Sequence, residues 1–260
     1  MIIFFALASI IAHEWAHVLT VRFMGAKIER VGFFPLGMMA KVRGLENLHS
    51  WERYVIFFAG PLANFSIALW AGATSRISHV GVGWLDELAF CNFALAIFNL
   101  TPAMPLDGGR IVWQFLSNRI GILRANRFMI RVGIFTGVMF FALGIVQIFL
   151  FPYNITLLCA GIFVLKKNKS IAPELQAAFH IALDGKNSAA RARTLRVKEI
   201  EISHETTIKN ALEYLAGDYF TTFCIAKKNS PTVKIREQAL IKYIFSNGIN
   251  GTVGDVYGFL

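Results

Sequence analysis

Charge and cysteine are both scarce in this sequence. Charged residues make up only 16% of the chain and hydrophobic residues 55%, whereas soluble domains hold about 25% charged residues. The mean hydropathy is +0.53. This composition excludes an ordinary soluble protein and indicates a membrane protein. The three cysteines (Cys91, Cys159 and Cys224) have neither a CxxC nor a paired spacing, so we expect packing roles and no disulfide framework.

Other signals are missing too. We find no glycine-rich phosphate loop, no convincing internal repeat, and no clear small-residue cleavage site after the first apolar run. That run is therefore interpreted as a retained membrane span and not as a signal peptide. The net charge of +10 is explained by basic loops that flank membrane spans. We expect no nucleic-acid partner.

Long apolar runs predict the membrane topology. About 20 apolar residues cross a bilayer, and runs of this kind cover Met1–Val21, Tyr54–Ser75 and Leu88–Leu106. Val132–Leu165 is long enough for two spans, with a break at Phe151–Asn154. Arginine and lysine concentrate after the first, third and fifth runs. The positive-inside rule then places the N-terminus outside and the C-terminus in the cytosol.

The charged residues are denser after Leu165 than before it. We therefore divide the chain into a membrane domain (1–168), a basic helical linker (169–196) and a small cytosolic domain (197–260). Within the last, Ile208, Leu212 and Leu215 have helical spacing, and the segment Phe220–Ala226 favours a strand. The predicted fold class is a polytopic α-helical membrane protein of about five to six spans with a small α/β C-terminal domain.

Three polar residues interrupt the first apolar run, in the sequence HEWAH. His13 and His17 are four residues apart, so on a helix both imidazoles project from one face and can bind one zinc ion. Glu14 can take a proton from water that zinc activates. Charged groups in a membrane helix cost about 2.5–3.5 kcal/mol each on insertion scales, which favours a functional role.

A third ligand is needed, since catalytic zinc sites use three protein ligands. Asp107, in NLTPAMPLDGGR (Asn99–Arg110), ends another inward-running apolar segment and so lies at a depth similar to that of the two histidines. His49 and Glu46 are rival ligands, but they lie in a loop. Two alternatives remain: hydrogen bonding of these polar groups inside a helix bundle, and metal or proton transport.

The segment Lys27–Gly44 is apolar in its middle and too short to cross the membrane. Pro35 and Gly37 favour a turn between two extended arms. Both a re-entrant hairpin and an amphipathic interfacial segment agree with this pattern.

In this order, HEWAH, AGPLAN (Ala59–Asn64) and NLTPAMPLDGGR resemble the site-2 intramembrane metalloproteases. Within that family the chain resembles the stage IV sporulation protease of spore-forming bacteria, which has a C-terminal CBS-type module. Trp15 and Ala16 replace the Leu-Gly usual between the histidines, and the family branch has a further span before the first one here.

This resemblance implies that His13, His17 and Asp107 bind Zn²⁺ and that Glu14 activates the water that attacks a peptide bond. It also implies that Asn64, Asn99 and the Pro35 hairpin contact substrate, the hairpin by pairing with an extended segment. For the two asparagines, hydrogen bonding between helices is the alternative.

The resemblance further implies a multi-pass protein of the bacterial cell membrane that acts near the cytosolic face. Its substrate would be a membrane-associated precursor transcription factor, such as a precursor sigma factor in sporulation. The implied partners are membrane lipid, an inhibitory membrane subunit and a second copy bound through the CBS-like domain. In such pairs that domain would bind ATP or another adenine nucleotide. An intramembrane transporter and an inactive regulator remain the competing interpretations.

Overall fold

The computed structural model describes residues 2–34, 37–43, 48–77, 83–150, 155–169, 196–216, 219–227 and 230–259. The residues form two compact units, 1–112 with 132–171 and 113–131 with 172–260. The predicted domain division placed residues 113–131 with the membrane domain, whereas here they belong to the second unit. Pro35 lies outside the described residues, as do residues 170–195 of the predicted linker (169–196).

Three helices form the N-terminal part of the first unit: α1 (Ile2–Phe23), α2 (Ser50–Ile77) and α3 (Gly83–Leu100). All three pack against one another. Between α1 and α2 lies an antiparallel hairpin of β1 (Lys27–Phe34) and β2 (Gly37–Arg43). This confirms the predicted pair of extended arms, and both strands contact α1.

The chain continues into α4 (Asp107–Ile120), α5 (Ile122–Leu150) and α6 (156–169). Gly121, between α4 and α5, has φ +90°, a conformation that glycine adopts at little cost and that ends α4. Helices α5 and α6 pack closely at glycines, since a Cβ on Gly144 would lie 2.4 Å from the Leu158 nitrogen.

Of the helices in the described ranges, α1, α2 and α5 are long and apolar enough to cross a membrane. The other two predicted spans are also helical, but α3 carries Asp86 and Glu87 in its first turns and α6 has only the residues 156–169. The described residues of the first unit are thus mostly helical, and three of the described helices are candidate spans. The expected total of five to six spans stays a prediction.

The C-terminal residues form a small α/β module, as predicted. Its elements are β3 (Arg196–Ser203), α7 (Ile208–Leu212), β4 (Tyr219–Lys227), β5 (Ser230–Arg236), α8 (Glu237–Asn247) and α9 (Val253–Phe259). Strand β4 lies in the middle of the sheet, parallel to β3 and antiparallel to β5. The core of the module contains Ile208, Leu215 and Phe223, all fully buried. A CBS-type identity and nucleotide binding stay predictions.

Candidate metal centre

His13 and His17 lie on one face of α1, and Asp107 is the first residue of α4. Their side chains meet in the first unit although the sequence separates the aspartate from the histidines by 94 and 90 residues. The Nε2 atoms of the histidines are 3.2 Å apart, and each lies 3.1 Å from Asp107 Oδ2. In the described part of the chain, this is the group of histidine, cysteine or acidic residues that could hold a metal ion.

Helix α2 orients both imidazoles through their other ring nitrogen. Nδ1 of His13 donates to Asn64 Oδ1 at 2.5 Å, and Nδ1 of His17 donates to the Ile56 carbonyl at 2.7 Å. Because both partners accept, Nδ1 of each ring carries the proton and Nε2 of each neutral ring presents a lone pair.

The centre therefore brings together three hydrogen-bond acceptors: the two Nε2 lone pairs and the Asp107 carboxylate oxygen. Acceptors this close repel one another unless a cation lies between them. A tetrahedral metal site with bonds of about 2.1 Å places its ligand atoms about 3.4 Å apart. The observed separations of 3.1–3.2 Å are close to that value. The donor set of two imidazoles and one carboxylate is one that zinc prefers, so these residues fit a zinc ion.

Gly60 supplies the room for that ion. A Cβ at this position would lie 2.4 Å from His17 Nε2 and 2.5 Å from His13 Nε2, so it would occupy the space toward which both nitrogens point. Ile56, Gly60 and Asn64 are spaced four residues apart on α2 and form one row along its face. At one end of the row the Ile56 carbonyl bonds to His17, and at the other end Asn64 bonds to His13. Gly60, between them, leaves space in front of both Nε2 atoms.

The loop from α3 to α4 fixes Asp107. A Cβ on Gly108 would lie 2.1 Å from the Leu100 carbonyl oxygen, and one on Gly109 would lie 2.5 Å from the Ala103 carbonyl. Only glycine permits this approach of α4 to the preceding turn. Arg110 Nη1 lies 3.9 Å from Asp107 Oδ1, on the carboxylate oxygen that does not face the histidines.

Asp107 lies outside the three long apolar helices and is 6% exposed. Its two carboxylate oxygens face different partners: Oδ2 faces the two histidines and Oδ1 faces Arg110.

Glu14 is half-buried on α1 and lies near His13, His17 and Asp107. It lies one residue from His13 on α1, where a general base for a metal-activated water is needed. The predicted group of His13, Glu14, His17 and Asp107 is thus brought together in the structure.

The other predicted site residues have different surroundings. Asn64 is fully buried, and its amide nitrogen donates to the Ser9 carbonyl and to Asn92 Oδ1 in addition to the bond with His13. Asn99 donates to the Leu95 carbonyl of its own helix. The rival ligand His49 is exposed and outside the metal group, and Glu46 is outside the described residues. Contact of either asparagine with substrate stays a prediction.

Three contributors were missed from the sequence: Gly60, the Ile56 carbonyl and Asn92. Gly60 and Ile56 could have been found from their spacing of four and eight residues before Asn64. Asn92 gave no such signal, because it lies alone in the apolar run of α3.

Comparison with known proteins agrees with this geometry. The model of peptidase family M50 matches residues 1–82 and 75–141, more than half of the chain. The site-2 protease from Methanocaldococcus jannaschii superposes with a TM-score of 0.53 at 26% identity, over 65% of this chain and 76% of that one.

Two curated relatives have informative names. The zinc metalloprotease MJ0392 of Methanocaldococcus jannaschii is 28% identical over 60% of this chain and 44% of its own length. Stage IV sporulation protein FB of Bacillus subtilis is 25% identical over 48% of this chain and 43% of its own length. The chain spans less than half the length of the curated relatives it matches. By family model, site geometry and fold together, the chain belongs to peptidase family M50, the site-2 protease family.

Proposed function

We propose that this chain is a zinc-dependent intramembrane endopeptidase. The observation that carries the proposal is the convergence of three acceptor atoms, His13 Nε2, His17 Nε2 and Asp107 Oδ2, beside the Glu14 carboxylate. The family membership and the names of the relatives support the same activity.

In this mechanism His13, His17 and Asp107 would hold the zinc ion. When bound, zinc would make a water molecule easier to deprotonate and would polarise the substrate carbonyl. Glu14 accepts a proton from the water while the water oxygen attacks the carbonyl carbon of the scissile peptide bond. Glu14 then returns that proton to the leaving nitrogen as the C–N bond breaks. The products are a carboxylate and an amine.

A helical substrate must be unwound before its peptide bond can be attacked. The β1–β2 hairpin contacts α1, the helix that carries the two histidines. In the described ranges its sheet has two strands, so each strand leaves one edge for an extended segment. We propose that the substrate adds to this sheet as a further strand, and that Pro35 and Asn99 contribute to substrate contact.

The proposed location is a bacterial cell membrane, with the C-terminal α/β module in the cytosol. The proposed substrate is a membrane-associated precursor of a transcription factor, such as a precursor sigma factor, cut near the cytosolic face. The name of one relative, stage IV sporulation protein FB, supports a role in sporulation.

The test is Glu14→Gln in the full chain, reconstituted in proteoliposomes with a panel of labelled single-span peptides. Cleavage is expected to vanish while the zinc content, measured by mass spectrometry, stays that of the parent. Glu52→Gln removes the same charge at the start of α2 and is the matched control. Cleavage by Glu14→Gln at the parent rate refutes the mechanism. Zinc flux into the liposomes without cleavage by the parent would support the transporter instead.

A further inference from the structure

Asn92 is a polar residue in the apolar helix α3 and is fully buried. Its Oδ1 accepts a hydrogen bond from Asn64 Nδ2 at 2.7 Å, and its Nδ2 donates to the Leu88 carbonyl at 2.9 Å. A buried amide destabilises a protein unless it is hydrogen-bonded. Here both ends of the amide are used, and one bond leads to the metal centre through Asn64.

The sense of each bond in this chain is fixed. The Leu88 carbonyl can only accept, so the NH₂ group of Asn92 points toward Leu88 and its oxygen toward Asn64. The Ser9 carbonyl can likewise only accept from Asn64. With two acceptors facing its NH₂ group, Asn64 must turn its oxygen toward Nδ1 of His13.

We propose that Asn92 is a positioning residue that fixes, through Asn64, the tautomer of His13 able to bind a metal. The proposal rests on the proposed function, in which His13 Nε2 binds zinc. A neutral imidazole carries its proton on either nitrogen. Only the form with the proton on Nδ1 leaves Nε2 free for a metal.

Without Asn92, only the Ser9 carbonyl opposes rotation of the Asn64 amide. A rotated Asn64 would offer its NH₂ group to His13 Nδ1 and so favour the tautomer with the proton on Nε2. Molecules in that form do not bind zinc until the amide rotates back, and the apparent affinity falls by the fraction that remains competent. Helix α3 thereby acts on a ligand carried by α1.

The test uses the full chain in detergent micelles and three variants. Asn92→Leu replaces the amide by an apolar group of similar size. Asn92→Ser is too short to reach Asn64 and can bond back to its own helix. Cys91→Ala is the matched control, because Cys91 is the adjacent residue and contacts α1 at the Ile2 carbonyl without joining the chain of amides.

The first measurement is ¹⁵N NMR of histidine-labelled, metal-free protein, in which six histidines must be assigned. We expect the proton of His13 on Nδ1 in the parent and in Cys91→Ala, and a substantial Nε2–H population in both Asn92 variants. His17 is an internal control: its Nδ1 bonds to the Ile56 carbonyl, so its tautomer should stay the same.

The second measurement is zinc affinity by competition with a chelator. Loss of a residue that orients a metal ligand weakens binding by about 10–100-fold, and we expect this loss in both Asn92 variants and not in the control. A folded variant with the parent tautomer and parent affinity overturns the proposal, because Asn92 would then only join helices.

The NMR measurement on the metal-free parent tests the proposal even if no Asn92 variant folds. A His13 proton on Nε2 in that protein overturns the proposal. Failure of the proposed function looks different. In that case zinc binding and the tautomer change would follow Asn92 as expected, while the parent cleaved no peptide.

Discussion

Replacing Gly60 by alanine is expected to abolish zinc binding while leaving α2 folded. The new Cβ would lie 2.4 Å from His17 Nε2 and 2.5 Å from His13 Nε2, whereas a real Cβ essentially never comes closer than 3.0 Å. The nearer nitrogen must therefore retreat by about 0.6 Å, three times the roughly 0.2 Å tolerance of a metal–ligand distance. The hydrogen bonds to Asn64 and Ile56 oppose that movement. In a helix interior alanine is favoured over glycine by about 0.5–1 kcal/mol, so the helix itself should not weaken.

The assay is zinc content per chain after dialysis against a graded series of chelators, with peptide cleavage and the thermal unfolding midpoint measured on the same samples. We expect an affinity loss of more than about 100-fold, beyond the range for residues that only orient a ligand. Gly72→Ala is the control, since its Cβ would meet Ala89 Cβ at an ordinary 3.9 Å on the same helix. A folded Gly60→Ala protein with parent zinc affinity would show that the ion does not lie where the three acceptors point.

Three further predictions concern the metal and the second unit. Asp107→Asn keeps the volume but removes the charge, and we expect at least about a tenfold loss of zinc affinity in chelator competition. Removal of metal by a chelator should stop peptide cleavage, and zinc but not magnesium should restore it, because magnesium prefers oxygen ligands. Hydrogen bonds from Arg127 and Arg124 lower the pKa of Glu213. Its stabilising effect is therefore present above the ordinary pKa of 4.5 and is lost as the pH falls through the lowered value. Glu213→Gln should reduce the free energy of unfolding at pH 7, measured by denaturant titration, by no more than about 1 kcal/mol per exposed pair, and should match the parent in strong acid.

The metal ligands could be predicted from the sequence because two independent constraints apply to them. Four-residue spacing places His13 and His17 on one helix face, and the arrangement of apolar runs places Asp107 at their depth. The cost of burying such groups in a membrane helix made a shared role the best explanation. The antiparallel hairpin was predictable as well, since Pro35 and Gly37 lie between two extended segments.

The start of α5 could not be predicted from hydropathy. The charge-free run begins at Val132, but the helix begins ten residues earlier, at Ile122. A hydropathy run shows where charges end, whereas a helix ends where its backbone hydrogen bonds end. Here Arg124 and Arg127 remain helical and bond to Glu213 in the second unit, a contact between residues almost ninety positions apart.

Asn92 was not predictable for a related reason. Its partner Asn64 lies 28 residues away on another helix, and a single asparagine in an apolar run has no spacing to interpret. Sequence patterns report relations within one helix, while this contact depends on how two helices pack.

Gly60, Gly108 and Gly109 have a consequence for genetics. At each, an added Cβ would lie closer than 3.0 Å to its neighbours, which are imidazole nitrogens at Gly60 and backbone carbonyl groups at the other two. Every missense codon there should therefore inactivate the protein, whatever the chemistry of the new side chain. A saturation-mutagenesis map should therefore show all three positions among its fully intolerant columns.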